Sequence, residues 1–224
     1  ILIGLVGSEM CIRDRGWMVG LQMGLETALF SITGIMIGWL GSIALAAHQV
    51  MVAISTLGFM IYYGVGAAVS VRVSNYFGRQ DLLHVRRTTM AGFHLILCLA
   101  VCACTVFLFS RELIGYLFTT SEEVIRVVST LVYILLAYQF GDALQITYAN
   151  SLRGIGDVIS MAVISFIGYF LIAMPVCYIC GFVLEWGITG IWIGYPIGLT
   201  LTGVMLCGRY YWKLKTKTQS KEFY

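Results

Sequence analysis

Hydrophobic residues occupy six long stretches of this chain, and short polar segments separate them. The stretches cover about residues 17–40, 46–75, 88–109, 124–150, 158–183 and 188–210. Each reaches the roughly 20 residues that a helix needs to cross a bilayer. The apolar positions run continuously, whereas a transmembrane barrel would show alternation in segments of about 10 residues. The pattern predicts an all-α fold, a polytopic membrane bundle of six transmembrane helices.

Composition agrees with a membrane protein. Of the 224 residues, 59% are hydrophobic and 11% are charged, whereas a typical soluble domain carries about 25% charged residues. The expected surroundings are therefore the lipid bilayer. The net charge of +3 is too small to indicate a nucleic-acid partner. No nucleotide-binding loop, metal-ligand cluster or Ser/His/Asp constellation is visible, so the sequence predicts no enzyme, no bound metal and no cofactor.

The first fifteen residues differ from the rest, because charges fall where a span should begin: Glu9, Arg13, Asp14 and Arg15. The segment VGSEMCIRDR resembles a peptide that arises when sequencing-adapter DNA is translated. We set residues 1–15 aside as a non-native extension and expect the natural chain to continue upstream. The six-span unit then covers residues 16–212, and a basic tail covers residues 213–224.

Basic residues mark one end of the bundle. They fall between the second and third spans, after the fourth span and at the end of the chain: Arg72, Arg79, Arg86, Arg87, Arg153, Arg209, Lys213, Lys215, Lys217 and Lys221. Cytoplasmic loops carry such an excess. The distribution predicts a multi-pass protein of the inner (plasma) membrane with a cytoplasmic C-terminus. It places segment 110–123 outside, where apolar residues at helical spacing predict a short surface helix.

Two acidic residues lie deep within apolar spans. Glu26 is about nine residues, or roughly 14 Å, into the first span, and Asp142 lies past the middle of the fourth. A carboxylate at that depth costs about 2.5–3.5 kcal/mol on insertion scales, and it faces protein or a wet cavity rather than lipid. Such a group is suited to binding and releasing H⁺ or Na⁺. The alternative is a structural acid whose oxygens are satisfied by neighbouring amides and hydroxyls.

Polar residues accompany both acids at helical spacing. Gln22 precedes Glu26 by one turn, and Tyr138 precedes Asp142 by one turn. Gln145 follows Asp142 by three residues, so these side chains share a helix face. We expect Glu26 and Asp142 to bind the cation, and we expect Gln22, Tyr138 and Gln145 to form polar walls of a cavity that hydrogen bond the carboxylates.

Small residues at four-residue spacing mark the first and last spans: Gly16, Gly20 and Gly24, then Gly190, Gly194 and Gly198. Such faces let helices approach closely. They serve either ordinary packing or a seam that slides during a conformational cycle. The two prolines, Pro175 and Pro196, lie inside the fifth and sixth spans, where each removes a backbone hydrogen bond and can kink its helix.

Several segments together resemble the MATE (multidrug and toxic compound extrusion) transporters, and the NorM-type bacterial branch fits best. They are GLQMGLE at 20–26, AAHQV at 46–50, GVGAAVSVRV at 64–73, YQFGDALQ at 138–145 and LRG at 152–154. The resemblance covers residues 16 to about 212 and identifies these spans with the second half of a twelve-span protein. It implies two pseudo-symmetric six-span lobes, of which this chain is the C-terminal one, and an N-terminal lobe as partner.

The resemblance also implies a function. MATE transporters export drugs and organic, often cationic, molecules in exchange for H⁺ or Na⁺. Coupling in this lobe uses a glutamate and an aspartate that correspond to Glu26 and Asp142, and the tyrosine of the same motif corresponds to Tyr138. An isolated half is not expected to complete a transport cycle.

Three other functions fit a six-span bundle less well. A related flippase for lipid-linked glycans would favour basic residues inside the bundle, and no Arg or Lys lies in mid-span. A membrane enzyme would need clustered His, Asp or Ser at one membrane face. A subunit without transport activity would dimerise through the glycine faces and would copurify with a distinct partner.

Overall fold

The computed structural model describes the backbone of residues 2–222 and the side chains of residues 16–219. All regular structure within that range is helical, which confirms the all-α prediction. The α-helices are α1 (Leu2–Gly38), α2 (Ser42–Gly78), α3 (Leu82–Phe109), α4 (Arg111–Phe118), α5 (Glu122–Gly154), α6 (Val158–Phe166), α7 (Met174–Tyr178) and α8 (Gly187–Glu222). The proposed extension 1–15 lies outside the residues whose side chains are described, as do residues 220–224 of the tail.

Six helical stretches within the described residues are long and apolar enough to cross a membrane, as predicted. They are Gly16–Gly38, Ser42–Gly78, Leu82–Phe109, Glu122–Gly154, Val158–Val183 and Gly187–Gln219. The second, third, fourth and sixth spans are longer than the apolar stretches, because backbone hydrogen bonds continue into polar turns, whereas the fifth has the predicted bounds. The basic segment after residue 212, for instance, continues α8 as far as Glu222. The short helix predicted within 110–123 is α4.

Helix α5 lies at the centre of the bundle. It packs against α2, α3 and α8 along its length, whereas α1 packs mainly against α6 and α2. One apolar core fills the half of the bundle that contains Leu131 and Trp192, and a second fills the half that contains Leu152 and Tyr210. Three polar residues of α5, Gln139, Asp142 and Gln145, lie between Tyr138 and Tyr148, which are the nearest buried α5 members of the two cores.

The fifth span is not a continuous α-helix. Two π-helical segments, Ile167–Ala173 and Ile179–Val183, flank the short helix α7, which contains Pro175. The N–H of Met174 bonds to the carbonyl of Tyr169, five residues earlier. Proline lacks a donor and crowds the carbonyl four residues before it, and wider π-helical turns accommodate both effects. Pro196, in contrast, lies inside α8 without interrupting it.

The two glycine series behave differently. A Cβ atom at Gly190, Gly194 or Gly198 would meet the backbone or side chains of Cys180, Cys177 and Ala173. These glycines of α8 therefore let the fifth span pack closely, as predicted. Around Gly16, Gly20 and Gly24, no described atom comes within 4 Å of a Cβ position, so the prediction of close packing on the first span is not met within the described residues.

Candidate cation and substrate site

Glu26 lines a cleft of about 250 Å³ between α1 and α2. Glu26 as a whole is half-buried, and Tyr138 of α5, which is almost fully buried, also lines the cleft. The other walls are mainly apolar and aromatic: Met23, Thr27, Phe30, Val52, Ser55, Thr56, Phe59 and Met60. The cleft thus combines one acid with surfaces that suit an organic molecule.

Asp142 is fully buried on α5, and neither of its carboxylate oxygens has a hydrogen-bond partner among the described residues. Tyr138 and Gln145, which lie on either side of Asp142 along α5, line cavities together with Glu26. The Tyr62 hydroxyl and the Gln139 amide are likewise buried without a described partner. Burying a polar group without compensation costs several kcal/mol, so this arrangement differs from a structural acid satisfied by its neighbours.

Gln145 does not bond to Asp142. Its amide nitrogen donates to the hydroxyl of Tyr169 in the fifth span, and both side chains are buried. The expectation that this polar stripe hydrogen bonds a carboxylate is therefore not met at Asp142, whose oxygens have no partner among the described residues. Helical spacing gave the shared face correctly, but the neighbouring helices determine the hydrogen-bond partners.

Tyr169 is a site residue that the sequence analysis missed. It lies in the π-helical segment before Pro175 and is fully buried beside Gln145. Its partner Gln145 lines a cavity together with Glu26. A tyrosine in a strongly apolar span, six residues before a proline, is the sequence signal that could have indicated it.

Arg153 also belongs to the site, although the sequence analysis placed it in a connecting loop. It lies in the last turn of α5. Its Nη2 donates to Gln22 Oε1 over 3.2 Å, and Gln22 Nε2 donates in turn to Glu26 Oε2 over 3.4 Å. Gln22 is therefore confirmed as a partner of Glu26, and a chain of two hydrogen bonds connects the carboxylate to a guanidinium.

Aromatic contacts hold α1 against α8 just beyond Glu26. Phe30 stacks on Tyr195 with ring centroids 4.9 Å apart, and the Thr33 hydroxyl hydrogen bonds to the Tyr195 hydroxyl. Trp192 packs edge-on against Tyr195 at 5.2 Å. These contacts hold the segment of α1 that follows Glu26 against α8.

The oxygen atoms of carboxylates, amides and hydroxyls are the groups that this site offers a ligand. Among the described residues, no group of three or more His, Cys, Asp or Glu side chains is placed to hold a metal ion. A proton or an alkali cation needs no such group, since hard cations accept neutral and charged oxygens together.

The fold and the site define a multi-pass membrane protein with an acidic cleft between its helices. Comparison with known proteins identifies its family. The MatE family matches residues 19–179, more than half of the chain. The chain belongs to the MATE family, and its similarity to NorM proteins confirms the predicted NorM type. Membership of a transporter family agrees with the prediction that the protein is not an enzyme.

Curated relatives cover nearly all of the chain. The multidrug resistance protein NorM of Photobacterium profundum is 34% identical over 213 residues, which are 93% of this chain and 46% of that protein. A probable multidrug resistance protein NorM of Xylella fastidiosa is 35% identical over 202 residues, 89% of this chain and 43% of the relative. The chain thus spans about half the length of the relatives it matches.

Solved structures show the same fold. A eukaryotic MATE transporter superposes with a TM-score of 0.83 at 20% identity, covering 92% of this chain and 48% of that one. A MOP superfamily transporter from Pyrococcus furiosus gives a TM-score of 0.78 at 18% identity, covering 88% of this chain and 43% of that one. The six-span bundle therefore corresponds to about half of a MATE fold.

Proposed function

We propose that this chain is the C-terminal six-helix lobe of a twelve-helix antiporter that exports organic, often cationic, drugs in exchange for H⁺ or Na⁺. The single observation that carries this proposal is the buried carboxyl group of Asp142, which has no described hydrogen-bond partner and lies on α5 between Tyr138 and Gln145, two residues that line cavities with Glu26. The NorM relatives are named as multidrug resistance proteins, and this name supports the choice of cargo.

The coupling cation binds between Glu26 and Asp142. Two neighbouring carboxylates in a poorly solvated interior repel one another, and one positive ion relieves that repulsion and part of the desolvation cost. A cationic drug in the cleft faces the same Glu26 carboxylate. Drug and ion therefore compete, and each stabilises a different state of the cavity.

The cleft supplies one wall of the drug site. Its volume of about 250 Å³ lies below the roughly 300–1,000 Å³ of pockets that enclose drug-sized ligands. Apolar side chains beside it on α2, such as Leu57 and Met60, are exposed. An N-terminal lobe of the same protein would complete the enclosure, and the drug would lie between the lobes.

The direction of transport follows from the distribution of charge. Lysines and arginines concentrate at the end of the bundle that includes the α2–α3 connection and the end of α8, which supports a cytoplasmic C-terminus in the inner membrane. H⁺ or Na⁺ then enters the site from outside and moves downhill, and the drug leaves outward.

A glycan flippase is less consistent with the cleft. A pyrophosphate-bearing lipid needs cationic side chains in the cavity, and the residues that line the cleft include Glu26 and no Lys or Arg. The sign of the local charge therefore favours a cationic cargo.

Transport by the full-length protein with Asp142→Asn tests the proposal. Proteoliposomes under separate Na⁺ and proton gradients should show dye efflux for the unmodified protein and at least a ten-fold loss for the variant. Glu123→Gln, an exposed acid at the start of α5, is the matched control and should retain efflux. Undiminished ion-driven efflux by Asp142→Asn would refute the assignment.

A further inference from the structure

Arg153 bridges two helices at the polar end of the site. Its Nη1 donates to Asn150 Oδ1 of the same helix over 3.3 Å, and its Nη2 donates to Gln22 of α1 over 3.2 Å. Its Nε atom is buried without a described hydrogen-bond partner. A partly buried guanidinium with this geometry is held in place, unlike a flexible surface charge.

The guanidinium determines how the Gln22 amide is oriented. Arginine only donates hydrogen bonds and keeps its charge at every physiological pH. Gln22 must therefore present Oε1 to Arg153, which leaves Nε2 facing the Glu26 carboxylate. The positive charge of Arg153 thus acts on Glu26 through a fixed amide whose donor stabilises the carboxylate in the absence of any ion.

A small void offers a second connection between the two charges. It measures about 20 Å³, is partly open, and is lined by Gln22, Glu26, Gln145, Asn150 and Arg153 together with Tyr63 and apolar side chains of α1, α2 and α5. A void of about 10–15 Å³ with two to four polar partners is enough for one water molecule. A water molecule there would bridge the guanidinium and the carboxylate.

From this geometry we infer that Arg153 is a positioning residue that competes with the coupling cation for Glu26. The inference rests on the proposed function, since it concerns how tightly the same site holds its ion. When the site is empty of cation, the guanidinium and the Gln22 amide compensate the carboxylate. An arriving cation must displace part of that compensation, so it binds less tightly and leaves faster.

The expected kinetic signature separates this role from a purely structural one. In the full-length transporter, Arg153→Gln should lower the apparent KM for the coupling cation about three- to ten-fold. It should also lower the maximal rate of efflux, because the ion leaves more slowly. Arg153→Lys keeps the charge and should restore much of the original KM. Loss of structure alone would lower the maximal rate of efflux without lowering the apparent KM for the cation.

Two further variants complete the test. Arg126→Gln removes an exposed arginine from the first turns of α5 and should change neither constant. Gln22→Leu keeps Arg153 but removes the donor to Glu26, so the apparent KM should fall as well. This variant gives an independent readout if Arg153→Gln does not reach the membrane.

These measurements distinguish failure of the role inferred for Arg153 from failure of the proposed function. An unchanged or raised cation KM in both Arg153→Gln and Gln22→Leu, with normal ion dependence of the unmodified protein, would overturn the role of Arg153 alone. Efflux by Glu26→Gln that keeps the full ion dependence of the unmodified protein would instead contradict the proposed function.

Discussion

Two aspartates fifteen positions apart show how a structural acid differs from a candidate binding group in this protein. Asp157 accepts hydrogen bonds from Arg209 Nε at 2.8 Å and from Ser160 Oγ at 2.9 Å, and Lys213 lies 3.9 Å away. Burial acts to raise the pKa of Asp157, but the bonds from Arg209 and Ser160 and the charge of Lys213 outweigh it, so the pKa falls below its ordinary value of 3.8. Asp142 has no comparable partner among the described residues.

We predict that Asp157→Asn destabilises the full-length protein by about 1.5–3 kcal/mol at neutral pH, the range for hydrogen bonds to charged groups. The pKa of Asp157 is lowered by folding, so the stabilisation is present above the unfolded value near 3.8 and is lost as the pH falls through the folded value. Thermal unfolding followed by tryptophan fluorescence should show a constant difference from pH 8 to 5, which shrinks at lower pH.

The control for this prediction is Glu123→Gln. That side chain is exposed in the first turn of α5, where an acid contributes at most about 1 kcal/mol. Equal unfolding temperatures of Asp157→Asn and the unmodified protein at pH 7 would show that the ion pair contributes nothing.

At the residue scale, the sequence identified the acids but not all of their partners. Glu26 and Asp142 stand out because a charge in an apolar span is costly. This cost can be recognised from a single position in the sequence. Tyr169 and Arg153 join the site through contacts between helices, and no spacing within one helix encodes such contacts. The bond from Gln145 to Tyr169 shows the same limit.

At the scale of elements, the close packing of α8 against the fifth span depends on glycine. A Cβ atom on Gly190 would lie 2.9 Å from the backbone nitrogen of Gly181 and closer still to the carbonyl group of Cys180. Backbone atoms cannot move aside as a flexible side chain can. The two helices would have to separate where the π-helical turn Ile179–Val183 meets α8.

We predict that Gly190→Ala lowers the free energy of unfolding by about 1–3 kcal/mol, the usual cost of overpacking. Gly208→Ala is the matched control on the same helix, because its Cβ would meet no described atom within 4 Å. Alanine there should leave stability unchanged or raise it by about 1 kcal/mol through helix propensity. Equal destabilisation by both variants would show that close packing at Gly190 is not the cause.

The apolar pattern predicted the number and order of the spans, because a helix that crosses the bilayer must present apolar side chains to lipid and satisfy its backbone hydrogen bonds internally. The ends of the helices and the π-helical turns escaped prediction. Backbone hydrogen bonds extend α8 to Glu222, through a basic segment that the hydropathy pattern predicted to be a tail. The π-helical turns around Pro175 accommodate a missing backbone donor while the fifth span stays packed closely against α8. Their position therefore depends on both helices, and the sequence of one span does not determine it.

At the scale of the whole molecule, the described chain presents an open site. Glu26 faces a cleft with two helical walls, and α1 packs mainly against α6 and α2 at the edge of the bundle. The chain matches about half the length of its NorM relatives. A second lobe against α1 and α2 would explain why an acid and a drug-compatible surface lie at the edge of this one.

The central claim is that Glu26 and Asp142 hold a cation that the drug displaces. The most direct measurement is cation release on drug binding by purified full-length transporter in lipid nanodiscs. Tetraphenylphosphonium serves as the organic cation, ²²Na⁺ reports sodium, and a pH dye in weak buffer reports protons.

We predict that the unmodified protein and Glu123→Gln release one of the two ions when the organic cation is added, and that the double variant Glu26→Gln with Asp142→Asn releases neither. Release of the same ion in the same amount by the double variant would contradict the claim.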